Sequence, residues 1–168
     1  PLLGAIVNGL GAGRLPRKVV SAIGTGTVGL AFLIAVGCFL RLLELPPEDR
    51  IFLQTLYDWI DSGDFSVPVR LALDPLSAVM MLVVTGVGFL IHVYATGYMA
   101  EEDGYYRFFA YLNLFMFFML TLVLGNNYLL LFVGWEGVGL CSYLLIGFYY
   151  LKEAASTAGN KAFIVNRI

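Results

Sequence analysis

The sequence predicts an all-α membrane protein, a polytopic bundle of transmembrane helices with one small extracytoplasmic β-hairpin. Composition is the first reason. Of 168 residues, 60% are hydrophobic and only 13% charged, with a mean hydropathy of +0.83, which lies outside the range of soluble globular domains. The second reason is the spacing of polar interruptions, which leaves runs of about 20 apolar residues, the length that crosses bilayer hydrocarbon. The third is a single sizeable polar region, residues 44–74, which reads as an outer loop.

In chain order, residues 1–13 read as the tail of a first spanning helix. Complete spans follow at residues 19–43, 76–99, 108–124 and 128–151, and residues 157–168 open a last, partial one. The first residue is proline, and the apolar start lacks the charged leader and small-residue cleavage site of a signal peptide. The sequence therefore reads as a fragment, a single membrane domain cut from a longer chain. Gly125-Asn126-Asn127 is the only polar break between the third and fourth complete spans, so these form a tight antiparallel pair. Within the outer loop, Pro46-Pro47 stops the preceding helix. Short apolar and aromatic runs between Ile51 and Leu73 are split by Asp61-Ser62-Gly63-Asp64, the pattern of a β-hairpin on the membrane surface.

Basic residues set the orientation. Arg14, Arg17, Lys18, Arg107, Lys152 and Lys161 fall on one side of successive spans, against Arg41, Arg50 and Arg70 on the other, which places the six in the cytoplasm. No Lys/Arg cluster is dense enough to track nucleic acid. Cys38 and Cys141 stand alone in apolar runs and act as small hydrophobic fillers, and neither a metal-ligand spacing nor a glycine-rich phosphate loop is present. The residues offer no site for a redox cofactor.

Glu136 is the one formal charge between Phe108 and Leu151. A carboxylate at hydrocarbon depth is costly, and such groups mark ion or proton routes more often than they serve as fixed helix glue. Shut away from water, a carboxyl holds its proton; beside a cation it releases it, so a partner that changes charge or distance makes a relay. On a helical wheel Glu136 shares a face with Phe132, Leu140 and Tyr143, while Gly134, Gly137 and Cys141 form a small-residue strip for close packing on the other side. His92 lies on a stripe with Thr85, Gly88 and Thr96. That stripe could order water or pass protons, or the histidine could be bonded to a neighbouring helix and fix its rotation. Lys161 belongs at the cytoplasmic interface. Arg167 lies deeper and needs an acceptor, expected as an acidic residue just beyond Ile168, unless it snorkels to the headgroups. Tyrosines and phenylalanines at the span ends, such as Tyr94, Tyr98, Tyr149 and Tyr150, read as interfacial anchors.

The run from Leu129 to Tyr150, LLLFVGWEGVGLCSYLLIGFYY, closely resembles the large antiporter-like (L) subunits of respiratory complex I, NADH:quinone oxidoreductase, whose mitochondrial counterpart is NADH dehydrogenase subunit five. Residues 73–77 (LDPLS), 84–94 (VTGVGFLIHVY) and 161–168 (KAFIVNRI) agree with the same family in order and spacing. The resemblance implies a proton-translocating membrane subunit whose pumping is coupled to electron transfer elsewhere in the complex. It implies that NADH, FMN, iron-sulfur clusters and quinone are bound by other subunits and that no cofactor is held on this chain. Its partners would be the other membrane subunits, especially a neighbouring antiporter-like one, and the lipid bilayer. Its place would be the bacterial inner membrane, or the mitochondrial inner membrane in a eukaryote. Glu136 matches the family's glutamate on the fifth helix, which pairs with a lysine on a later, broken helix, and Arg167 matches an arginine followed shortly by an aspartate. A subunit of a multisubunit sodium/proton antiporter or of a membrane-bound hydrogenase, and a purely structural membrane scaffold, are the competing expectations.

Overall fold

The computed structural model describes residues 1–63 and 65–167. The helices are α1 (Leu2–Leu10), α2 (Arg17–Leu43), α3 (Pro75–Tyr98), α4 (Tyr105–Leu124), α5 (Tyr128–Ile146) and α6 (Glu153–Val165); strands β1 (Phe52–Ser62) and β2 (Phe65–Leu73) lie between α2 and α3. Among the described residues four helices are long and apolar enough to cross a membrane: α2, α3, α4, and α5 with its continuation to Tyr149. The fold is thus an all-α membrane bundle with one two-stranded antiparallel sheet.

Helix starts follow local chemistry. Asp74 caps α3: its Oδ1 accepts from the Ser77 backbone N–H at 2.7 Å, and the Ser77 hydroxyl accepts from the Asp74 N–H at 2.8 Å, with Pro75 at the first helical position. These bonds from Ser77 hold the Asp74 carboxyl below the usual carboxylate range. Helix α4 opens at Tyr105 instead of the expected 108. Gly104 takes a left-handed φ of 83°, and Tyr105 turns inward against Phe109 with ring centroids 4.9 Å apart. Helix α5 leaves α-geometry at Ile146, short of the expected 151, because the chain tightens into a 3₁₀ turn over Gly147–Tyr149 that sends Phe148 into the core. Helix α6 accordingly opens at Glu153, before the expected 157, and α1 ends at Leu10, before 13.

Small residues bring the helices close. A Cβ on Gly29 of α2 would sit 2.9 Å from the Phe89 ring of α3, and one on Gly86 of α3 would sit 3.0 Å from Phe32 of α2, a reciprocal fit of ring into notch. Val20, Ala95, Met99, Tyr105, Phe109 and Phe148 form a buried cluster at the end of the bundle where α2 begins. There Arg17 donates to the carbonyls of Ala100 and, at 3.3 Å, Glu102, tying α2 to the α3–α4 turn.

The hairpin runs in register from Phe52 opposite Leu73 to Ser62 opposite Phe65. It is irregular at Thr55/Tyr57 and Asp58/Ile60, flanking Pro68, which has no N–H to give the ladder. Gly63 turns the chain with φ of 60°; of the expected turn residues, Asp64 lies outside the described ones. Strand β2 docks on the α4–α5 turn: Asn126 N–H donates to Arg70 O at 3.1 Å, and Asn127 Nδ2 to Pro68 O at 2.8 Å. The hairpin and that turn share one end of the bundle, while Arg17 and the α3–α4 turn share the other.

Candidate functional site

Glu136 is delivered by α5, and α5 is fixed on either side of this partly buried carboxylate. Asn127 caps it, accepting from Leu130 N–H at 2.8 Å while its amide holds β2. The glycine strip then seats α5 on α4. A Cβ on Gly134 would lie 2.6 Å from the backbone of Leu122, and one on Gly137 would overlap the Phe118 ring, while Cys141 is wholly buried. With that face closed, Glu136 turns toward α6.

Helix α6 folds back along α5. Gly159 is buried where a Cβ would lie 3.4 Å from Tyr143 O and Gly147 N. Further along, Asn166 enters a notch left by Gly139, and Trp135 Nε1 donates to Asn166 O at 3.4 Å. These contacts place Arg167 on Glu136: the guanidinium Nη1 pairs with carboxylate Oε2 and lies over the Phe163 ring at 4.2 Å. The Glu136 side chain is 20% exposed and that of Arg167 36%. The pair borders a cleft of about 520 Å³ with Phe132, Trp135 and Asn166. Where an acceptor beyond Ile168 is expected for Arg167, the guanidinium pairs among the described residues with Glu136. Roughly three turns of helix precede the break after α5 and roughly four follow it before Arg167, so both charges reach similar depth. That matching of distances was the available signal.

Lys161 is exposed on α6 and makes no ion pair among the described residues. Tyr143 stands apart from the carboxylate. It packs on Phe163 at 5.5 Å between ring centroids and borders a second cavity with Arg107, Tyr111 and Ser156. Phe163, between Tyr143 and Arg167, was not singled out in the sequence, since a phenylalanine in an apolar helix carries no signal of its own.

His92 lies in a different polar site, at the junction of α1, α2, α3 and α4. Its Nδ1 bonds Gly88 O at 2.7 Å and its Nε2 meets Asn113 Nδ2 at 3.3 Å. The neutral tautomer with hydrogen on Nδ1 satisfies both contacts. Asn113 Oδ1 accepts from Thr27 at 2.8 Å, and Asn8 Nδ2 donates to Val20 O at 3.2 Å. Asn8, His92 and Asn113 are all 0% exposed. Thr85 and Thr96 donate back to carbonyls of their own helix, Met81 and Val93, at 2.7 Å each. Asn8, Thr27 and Asn113 are further polar residues of this site, whose signal in the sequence is an asparagine inside an apolar run, a group that most often finds a partner when buried.

Two family models match the chain. One, described as NADH-Ubiquinone oxidoreductase (complex I), chain 5 N-terminus, matches residues 59–109. The other, NADH:quinone oxidoreductase/Mrp antiporter, TM, matches residues 125–168. Among curated proteins, the chain is 50% identical over its full length to NADH-quinone oxidoreductase subunit L of Pseudomonas aeruginosa, covering 27% of that protein. It is 48% identical to the Escherichia coli subunit L, also covering 27%, and 45% to that of Mycobacterium tuberculosis, covering 26%. The chain spans about a quarter of the length of these relatives.

Proposed function

We propose that this chain, which belongs to the antiporter-like L-subunit family of NADH:quinone oxidoreductase, carries one proton-transfer station of that family's membrane pump, with Glu136 as the group that takes up and releases the proton. The observation that carries the reading is the Glu136–Arg167 pair at the edge of an open cleft. While the guanidinium rests on the carboxylate, the negative charge is compensated and the site holds no proton. When Arg167 withdraws, the carboxylate stands uncompensated in an apolar setting and takes one up. Gating then amounts to a small movement of α6 along α5.

In this reading electron transfer occurs elsewhere in the assembly, with NADH, FMN, iron-sulfur clusters and quinone on other subunits. The lysine that the family resemblance implies stands on a later, broken helix of the same subunit, and the neighbouring membrane subunits, with the lipid bilayer, are the partners. The proton path on this chain includes Tyr143, with Lys161 and Arg167 as its charge network. His92, Thr85 and Thr96 form a second candidate route, which opens when Asn113 releases the imidazole. The membrane is the bacterial inner membrane or its mitochondrial equivalent. A sodium/proton antiporter subunit is the alternative, since one matching model covers both systems; the match of residues 59–109 to a complex I chain favours the oxidoreductase.

The test is Glu136→Gln in the full-length subunit within assembled, reconstituted complex. The substitution keeps shape and removes ionisation. The expected result is a lower proton-to-electron ratio with NADH oxidation retained; pumping at the wild-type ratio and rate would sink the relay and favour a structural scaffold.

A further inference from the structure

Arg107 is a charge without a counter-charge among the described residues. It sits in the first turn of α4, where Nη2 donates to Phe148 O at 3.3 Å and the guanidinium lies over two rings, Phe148 at 4.9 Å and Tyr150 at 5.4 Å. Its Nε is buried and meets no acceptor among the described residues. The ion pairs found there join Arg41 to Glu44 and Arg167 to Glu136. Glu102 and Asp103 border an adjoining cleft with Arg107 and Lys152, yet neither carboxylate comes within 4.0 Å of the guanidinium.

A guanidinium stays charged and offers five N–H donors. One carbonyl and two ring faces leave most of them unanswered, which is costly for a partly buried cation unless an anion supplies the balance. The surroundings suit one. A cavity of about 170 Å³ is lined by Arg107, the hydroxyl-bearing Tyr111, Tyr143, Tyr150 and Ser156, and no carboxylate. Ser156 is the fourth residue of α6, about one turn in from the helix start that Glu153 occupies, its N–H bonded to Lys152 O at 3.1 Å and its hydroxyl on the cavity wall. Beside it, Tyr150 and Leu151 are 61% and 88% exposed, an apolar flank on which acyl chains can lie.

We propose that this cavity, between the start of α4 and the break separating α5 from α6, binds the phosphate of an anionic phospholipid headgroup. Arg107 grips two phosphate oxygens with its planar fork, and the hydroxyls of Tyr111, Tyr143 and Ser156 donate to the others. The bound lipid would hold the α5–α6 break in place from the membrane side, independently of whether Glu136 carries protons.

The test uses the assembled complex with the full-length subunit, reconstituted in phosphatidylcholine vesicles containing a photoactivatable phosphatidic acid. Peptides labelled on irradiation are mapped. Labelling of the segments around Arg107 and Ser156 is expected, reduced about tenfold in Arg107→Gln, the loss of one charged hydrogen-bonded contact. Arg107→Lys should fall between the two, and unlabelled phosphatidylglycerol should compete where inorganic phosphate does not. Ser156→Ala, which leaves every charge in place, should reduce labelling by a few-fold and serves if Arg107→Gln fails to assemble. Displacement by inorganic phosphate alone would assign the same chemistry to the free ion and overturn the lipid. Equal labelling of wild type and variants, or a neighbouring subunit's carboxylate resting on Arg107 in a map of the complex, overturns the site altogether.

Discussion

Two polar sites interrupt the apolar interior of this bundle, and they are built on opposite lines. At the junction of α1 to α4, neutral groups close on one another: part-buried Thr27 to Asn113, and the fully buried Asn113 to His92 and His92 to Gly88. At the α5–α6 face, two full charges meet beside an open cleft. In the first arrangement Thr27, His92 and Asn113 are bonded to one another and to backbone carbonyls, with the Asn8 Oδ1 left unpartnered among the described residues, so this chain of bonds ties helix to helix. The second joins a partly buried carboxylate to an arginine just past the C-cap of α6, beside a cleft, an arrangement that a shift of that chain end would open. Hydrogen bonds between neutral groups in a dry interior give rigidity; a partly solvated ion pair can change state.

Glu136→Gln should separate the two sites most sharply, slowing proton transfer through this subunit by about a hundredfold or more, as expected for removal of an acid–base group. The readout is the proton-to-electron ratio together with the single-turnover proton rate in vesicles. Next in size is Asn113→Leu, which strands the His92 ring and the Thr27 hydroxyl. It should destabilise the subunit by about 1–3 kcal/mol in pulse proteolysis, with pumping per assembled complex unchanged unless the freed imidazole opens the second route. A shifted pH profile of pumping in that variant would break the comparison by placing His92 on the proton route. Gly137→Ala drives a methyl into the Phe118 ring and should cost a similar amount, about 1–3 kcal/mol, by displacing α5 from α4. If the cleft between α5 and α6 is what matters, that variant should also weaken pumping, whereas a change confined to the hairpin should not.

The smallest effect belongs to Asp74→Ala at the start of α3, expected at about 1 kcal/mol of stability from loss of the cap. Its pH dependence has a definite sign. The folded carboxyl titrates below the ordinary aspartate range, so the stabilisation is present in full above that range and is lost as pH falls through the lower folded value. Unfolding midpoints of wild type and Asp74→Ala should therefore converge in strong acid and stay apart at neutral pH.

The contrast between the sites also separates what a linear reading reaches from what it does not. Four spanning helices, the tight α4–α5 pair, the hairpin and the glycine strip beneath Glu136 all follow from local properties: apolar run length, turn residues and periodicity along one helix. These are encoded within windows of about 20 residues. The start of α4, the end of α5 and the start of α6 differ from what run length alone predicts because burial of Tyr105 and Phe148 in a shared cluster, a tertiary event, decides where the chain turns.

By itself, then, the sequence determined that this is a membrane bundle with one carboxylate in its apolar interior and a family kinship carried by the residues around it. Tertiary structure alone decided the partners: that Arg167 meets Glu136, that Asn113 claims His92, and that Arg107 stands over two rings with no ion pair among the described residues. The reason is physical. Apolar run length is a property of one segment, whereas a hydrogen bond or ion pair joins two, and which two depends on the depth and rotation at which small residues let the helices pack.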